Sequence, residues 1–156
     1  MIQLRHILHP TDFSEPARQA MAYALELAQR FDAELHALYV VPPMAAMPWS
    51  SSGYVPPSMV EAEERHRLEA ADKLHSLMPS NEGGNPTVQH VVRDGTPFVR
   101  IIEYAREAGI DLIVIGTHGH TGLKQMLLGS VAERVVRKAS CPVLTVRPEG
   151  HQFVMP

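Results

Sequence analysis

Hydrophobic positions along this chain alternate between two regimes, short apolar runs and stretches where apolar residues recur at helical spacing. Residues 4–9 are short, apolar-rich and halted by Pro10, which predicts a first strand. Ser14 can cap a helix, with Pro16 tolerated in its first turn because no hydrogen-bonding N–H is needed there. Ala17, Ala20, Met21, Ala24, Ala28 and Phe31 then fall on one face of that helix. Residues 33–41 predict a second strand ended by Pro42 and Pro43, residues 58–78 a helix with a charged middle at 61–67, and residues 87–92 a third strand. Thr96 and Pro97 open another helix as cap and first helical residue. Phe98, Ile101, Ile102, Ala105 and Ala108 line its buried face, and Gly109 closes it. Residues 111–115 are apolar without alternation, the pattern of a central parallel strand covered on both faces. Val131, Ala132, Val135, Val136 and Ala139 mark a last helix, and residues 142–147 a last strand.

Strands and helices in this alternation predict an α/β fold, an open doubly wound parallel sheet with helices on both faces and right-handed crossovers. The 156 residues suit a single domain over 1–150, with a proline- and serine-rich loop at 42–57 and a tail at 151–156. Hydrophobic residues at 45% and charged residues at 20% are ordinary for a globular chain. Against 14 basic residues stand 17 acidic ones, a net charge of −3 that weighs against a nucleic-acid partner but not against a small phosphate ligand. No apolar run approaches the ~20 residues a membrane span needs, the first residues carry no signal-like apolar stretch, and Cys141 is the single cysteine. The expectation is a cytoplasmic protein with no membrane partner.

In open α/β sheets ligands bind beyond the carboxyl ends of the strands, where the strand order reverses. Two loops therefore matter most: Pro10-Thr11-Asp12 after the first strand, and residues 116–130 after the fourth. The second is neither a Walker A loop nor a GxGxxG dinucleotide turn. Gly116 and Gly119 let backbone N–H groups approach an anion, and Gly129-Ser130 begins a helix whose positive dipole end favours a phosphate.

The spacing Gly-x2-Gly-x9-Gly-Ser, carried by Gly116, Gly119, Gly129 and Ser130, resembles the ATP-binding motif of the universal stress protein family. The resemblance extends to residues 7–14 (ILHPTDFS), 94–97 (DGTP) and 140–146 (SCPVLTV). It implies five parallel strands in the order 3-2-1-4-5, and a homodimer built around the last strand, 142–147. It also implies an adenine nucleotide (ATP, ADP or AMP, with Mg²⁺ as an optional companion) and a role as a dimeric sensor or regulator in stress response. Transferred onto this chain, it has Asp12 accept hydrogen bonds from the ribose or the adenine side, with Pro10 and Thr11 shaping the floor. Val40 offers backbone contacts to the adenine edge and Ile115 packs on the nucleoside. Gly116, Thr117, His118 and Gly119 meet ribose and phosphates, and Gly129, Ser130 and Val131 supply amides. Members of that family lacking the glycine motif often bind no ATP; this chain keeps it.

Several of these residues have plainer readings. Ser130 and Glu133 spell a capping box, which explains Ser130 without a ligand. Asp12 could cap the first helix, although Ser14 can fill that role. His6 and His9 are three apart on a strand and point to opposite faces, and His118 with His120 supplies only two ligands, so no metal site is expected. Cys141 reads as a small buried hydrophobe. Met44, Met47, Trp49 and Tyr54 either anchor their loop or form a lid or partner surface. Lys124 and the loop histidines would suit at most slow ATP hydrolysis or phosphotransfer, and a nucleotide-free interaction module is the remaining alternative.

Overall fold

A computed structural model describes residues 2–43, 56–78, 86–117 and 129–147. Its elements run β1 (His6–Thr11), α1 (Glu15–Phe31), β2 (Glu34–Val41), α2 (Pro57–Leu77), β3 (Val88–Asp94), α3 (Pro97–Glu107), β4 (Leu112–Gly116), α4 (Ser130–Lys138) and β5 (Val143–Val146). The strands form one parallel sheet in the order β3-β2-β1-β4-β5, the expected topology. The loop segment 44–55, residues 118–128 and the tail 151–156 lie outside the described residues.

Alternation along the strands sends side chains to two cores. Ile7, Leu35, Ala37 and Val114 pack under α1 and α2 against Ala20, Ala24, Ala28 and Leu74. Leu8, Leu38, Val40, Ile113 and Ile115 pack under α3 and α4 against Ile101, Tyr104, Ala105 and Val135. Full burial of Ile7, Leu8, Leu35 and Leu38 stabilises by roughly 1.5–3 kcal/mol each. The alanine face of α1 leaves room for the helix backbone to lie close on the strands. Phe31, placed on the apolar face of the first helix, is exposed at the end of α1, and Val136 of α4 is exposed as well. Tyr104, not among the apolar positions read from sequence, takes a core place on α3 and shares a hydrogen bond with His36 Nδ1 at 2.7 Å. Asp111 ties the bottom of the sheet: its carboxylate accepts the N–H groups of Arg5 (2.7 Å) and His6 (3.0 Å), which hold it below the usual carboxylate range.

Pro10 does not end the first strand; β1 continues through it to Thr11, paired with β2 throughout. The reason is directional. The Arg5 carbonyl accepts from Glu34 on the β2 side, whereas the His6 carbonyl accepts from Asp111 on the β4 side. Even-numbered residues of β1 therefore face β4, and the missing N–H of Pro10 costs nothing to the β2 ladder. Pairing of β1 with β4 is confined to Ile7 and Leu8.

Candidate functional site

Strand order reverses between β1 and β4, and a cavity of about 440 Å³ opens there, within the range of small-molecule sites. Pro10, Thr11 and Asp12 line it from β1, Leu38, Tyr39, Val40 and Pro42 from β2, and Ile115, Gly116 and Thr117 from β4. Pro97 and Ile101 of α3, Ala17 of α1, and Gly129 with Ser130, Val131 and Ala132 at the head of α4 complete the wall. Ten of the twelve residues singled out from sequence line this one cavity: Pro10, Thr11, Asp12, Val40, Ile115, Gly116, Thr117, Gly129, Ser130 and Val131. His118 and Gly119 lie outside the described residues, as do His120 and Lys124.

Asp12 is held by a sharp turn. Phe13 adopts a left-handed backbone (φ 63°), unusual for a bulky residue. Thr11 Oγ1 accepts the Phe13 N–H at 3.0 Å, and Asp12 Oδ1 accepts the Ser14 N–H at 2.9 Å. Ser14 in turn caps α1, its hydroxyl accepting the Ala17 N–H at 3.4 Å. The Phe13 ring stacks on Tyr39 with centroids 4.8 Å apart, and the Lys73 ammonium lies 4.4 Å from its centre. The Tyr39 hydroxyl shares a hydrogen bond with His66 Nε2 at 2.9 Å, so α2 braces the turn from behind. Burial, then the Asp12 charge, push the Tyr39 phenol upward and keep it protonated.

The opposite wall is built from main chain. The Gly129 N–H donates to the Thr117 carbonyl at 2.5 Å, tying the start of α4 to the end of β4. Gly129, not Ser130, is the N-cap of α4, and no side-chain cap bond forms. The expected capping box is therefore absent: Ser130 is one position too far along, inside the helix, and Glu133 pairs with Arg137 at 3.0 Å. Thr96 sits at the N-cap of α3 but likewise makes no side-chain cap bond. The amides of Ser130, Val131 and Ala132 belong to the first turn, where a helix has no internal acceptor for them, and the helix dipole adds positive potential. Among the described lining residues Asp12 is the sole carboxylate, and there is no lysine, arginine or histidine. The described wall thus offers apolar surface, one anionic acceptor and an amide-rich corner.

Sequence reasoning passed over Ala17, Leu38, Tyr39, Pro42, Pro97, Ile101 and Ala132. Leu38 shares the alternation of Val40, and Ile101 follows Pro97 by one helical turn, so both were recoverable. Tyr39 was not, since alternation assigns its ring to the other face. His6 lies against His36 (centroids 5.7 Å), and His9, fully buried, shares by strand alternation the face of Ile7, which packs on the α1 alanines. Among the described residues no group of three or more His, Cys, Asp or Glu side chains could hold a metal ion. Cys141 is half-buried beside the second core, and burial pushes its thiol up. A second cavity, about 670 Å³, lies at the amino ends of the strands among Arg5, His6, Asp32, Glu34 and Thr87, the end where α/β sheets rarely place ligands.

The model of the universal stress protein family matches residues 3–147. The chain is 37% identical over 145 residues to universal stress protein MJ0531 of Methanocaldococcus jannaschii, covering 92% of this chain and 82% of that one. Universal stress protein MJ0577 of the same organism is 31% identical over 162 residues, covering 94% and 96%. The solved structure of MJ0577 superimposes with a TM-score of 0.78, covering 96% of this chain and all of that one. A universal stress protein solved in complex with cAMP, 22% identical, shares the fold at a TM-score of 0.63 over 93% of this chain and 98% of its own.

Proposed function

The chain belongs to the universal stress protein family, and we propose that its cavity between β1 and β4 binds an adenine nucleotide, ATP foremost. One observation carries the reading: a single cavity joins Asp12, an apolar slot and the first amides of α4. The slot of Leu38, Val40, Ile101 and Ile115 suits a purine, which needs apolar faces more than charges. Asp12 suits a ribose hydroxyl, as an ionised acceptor of a neutral donor. The Gly129–Ala132 corner suits phosphate oxygens. A protein of the same fold was solved with cAMP, which makes adenine nucleotides the first probes.

The working role is a nucleotide-dependent regulator rather than a fast enzyme. Phosphoryl transfer needs an oriented nucleophile and neutralising cations. Asp12 already accepts the Ser14 N–H, and none of the described lining residues is cationic. Dimerisation through the last strand fits its place at the sheet edge, where Leu144 is exposed.

Calorimetric titration of nucleotide-stripped protein with ATP and with AMP, each with and without Mg²⁺, tests this. Saturable binding near micromolar, about −8 kcal/mol, with weaker binding by an Asp12→Ala variant, supports the reading. No heat with either nucleotide overturns it. Many product molecules per chain would overturn the regulator in favour of a hydrolase.

A further inference from the structure

His9 is a fully buried polar side chain that lines neither cavity, yet it immediately precedes Pro10, where β1 ceases to pair with β4. We propose that His9 is a positioning residue for the cavity: its Nδ1–H replaces the amide that Pro10 lacks, satisfying the Val114 carbonyl through a side chain so that β1 and β4 stay unzipped beneath the site.

Even-numbered residues of β1 face β4, as the His6 carbonyl shows by accepting from Asp111. On β4 the N–H groups of Ile113 and Thr117 donate to Pro142 and Val146 on the β5 side, so Val114 faces β1. Leu8 is in register with Ile113, and one more ladder step would aim the amide of residue 10 at the Val114 carbonyl. Proline has no such amide. A buried carbonyl left without a donor is costly, and the His9 ring supplies one, Nδ1 standing 3.0 Å from the Val114 oxygen.

A carbonyl only accepts, so Nδ1 carries the hydrogen and Nε2 keeps a lone pair. Nε2 is buried and has no hydrogen-bond partner among the described residues. The ring therefore spends its one N–H on Val114 at the expense of its other nitrogen. Burial also keeps it neutral, with its pKa lowered to about 4. An apolar residue would fill this space without that sacrifice; the bond to Val114 is what an apolar residue could not make. Immediately beyond it, Pro10, Thr11, Ile115 and Gly116 line the cavity. A side-chain bond closes the polar balance without drawing those two strand ends into a ladder.

That this matters for ligand binding rests on the nucleotide reading above, and the experiment separates the two. In the full chain, nitrogen NMR should show His9 protonated on Nδ1 and bare on Nε2. Pro10→Ala restores an amide; hydrogen exchange should find it protected, and AMP should bind roughly tenfold more weakly, 1.4 kcal/mol. His9→Leu should lower the denaturation midpoint, and Pro10→Ala added to it should recover most of that loss. His9→Asn, which keeps a donor near the same point, should retain AMP binding. A hydrogen on Nε2, an unprotected amide at position 10 of the Pro10→Ala variant, unchanged AMP affinity in that variant, or strictly additive losses in the double variant would each overturn the proposal. Should His9→Leu not fold, the tautomer and Pro10→Ala decide alone. Should the wild type bind no AMP, the nucleotide reading falls, while tautomer and exchange still decide the bond to Val114.

Discussion

A Cβ placed on Gly116 would stand 2.8 Å from the carbonyl oxygen of Pro16 and 3.2 Å from the Ala17 nitrogen, so β4 and the first turn of α1 meet backbone to backbone. Neither partner is a flexible side chain that could swing aside. Gly116→Ala must push α1 away from the sheet, and overpacking of this kind costs typically ~1–3 kcal/mol. The displaced turn also carries Ser14 and, through it, Asp12. The variant should lose stability in urea unfolding and bind AMP more weakly. Wild-type stability would mean that the contact relaxes freely.

Phe13 offers a comparison in which strain and contact act oppositely. Its left-handed backbone is unfavourable, while its stacking on Tyr39 and the Lys73 ammonium above it are favourable. Phe13→Ala loses the contacts and keeps the strain; Phe13→Gly loses both. The glycine variant should therefore be the more stable of the two by about 1 kcal/mol, with both below the wild type. Equal or reversed stabilities, measured by thermal unfolding, would show that the turn is not strained at this residue.

Stability should fall on acidification in a window set by buried histidine. His9 has its pKa lowered to about 4 by burial, against 6.5 in the unfolded chain. Above pH 6.5 both states are neutral and the native state holds its full stability. As the pH falls towards 4 the unfolded chain takes up a proton that the native state refuses, so stability declines, by roughly 3 kcal/mol across the window. His36, lowered chiefly by burial, adds a loss of the same sign. Asp111 acts only at lower pH, since its carboxyl lies below the usual range. Urea unfolding from pH 7.5 to 4.5 should show this decline, and His9→Asn should flatten it. A flat wild-type profile would show that His9 titrates normally.

The parallel α/β sheet was legible because apolar alternation, the 111–115 run and the proline and glycine stops report burial, whereas its strand order came only with the family resemblance, since patterning does not say which strands pair. The lining of the candidate cavity was legible where loops end strands: Asp12, Gly116 and Gly129 stand at carboxyl ends or at a helix start. What escaped depends on direction in three dimensions. Pro10 looked like a strand end because only the fold reveals that its nitrogen faces β4 rather than β2. Tyr104 is absent from the apolar face read for α3, and only the fold brings His36 to its hydroxyl between α3 and β2. Ser130 and Glu133 satisfied the letters of a capping box, but the helix begins one residue earlier than those letters require.

That one-residue difference makes Ser130 a discriminating probe. As the N-cap of α4 its replacement by alanine would cost about 1 kcal/mol of stability. Gly129 holds that position instead, and no side-chain cap bond exists to be lost. Ser130→Ala should therefore leave thermal stability within ~0.5 kcal/mol of the wild type. Ser130 is among the residues lining the cavity at the start of α4. If its hydroxyl donates to a bound phosphate, its removal forfeits one hydrogen bond of ~0.5–1.5 kcal/mol and weakens ATP binding roughly threefold to tenfold. Paired melting curves and ATP titrations of the two proteins read both effects. Lost stability with unchanged affinity would return Ser130 to a structural role, and the phosphate corner would then rest on main-chain amides alone.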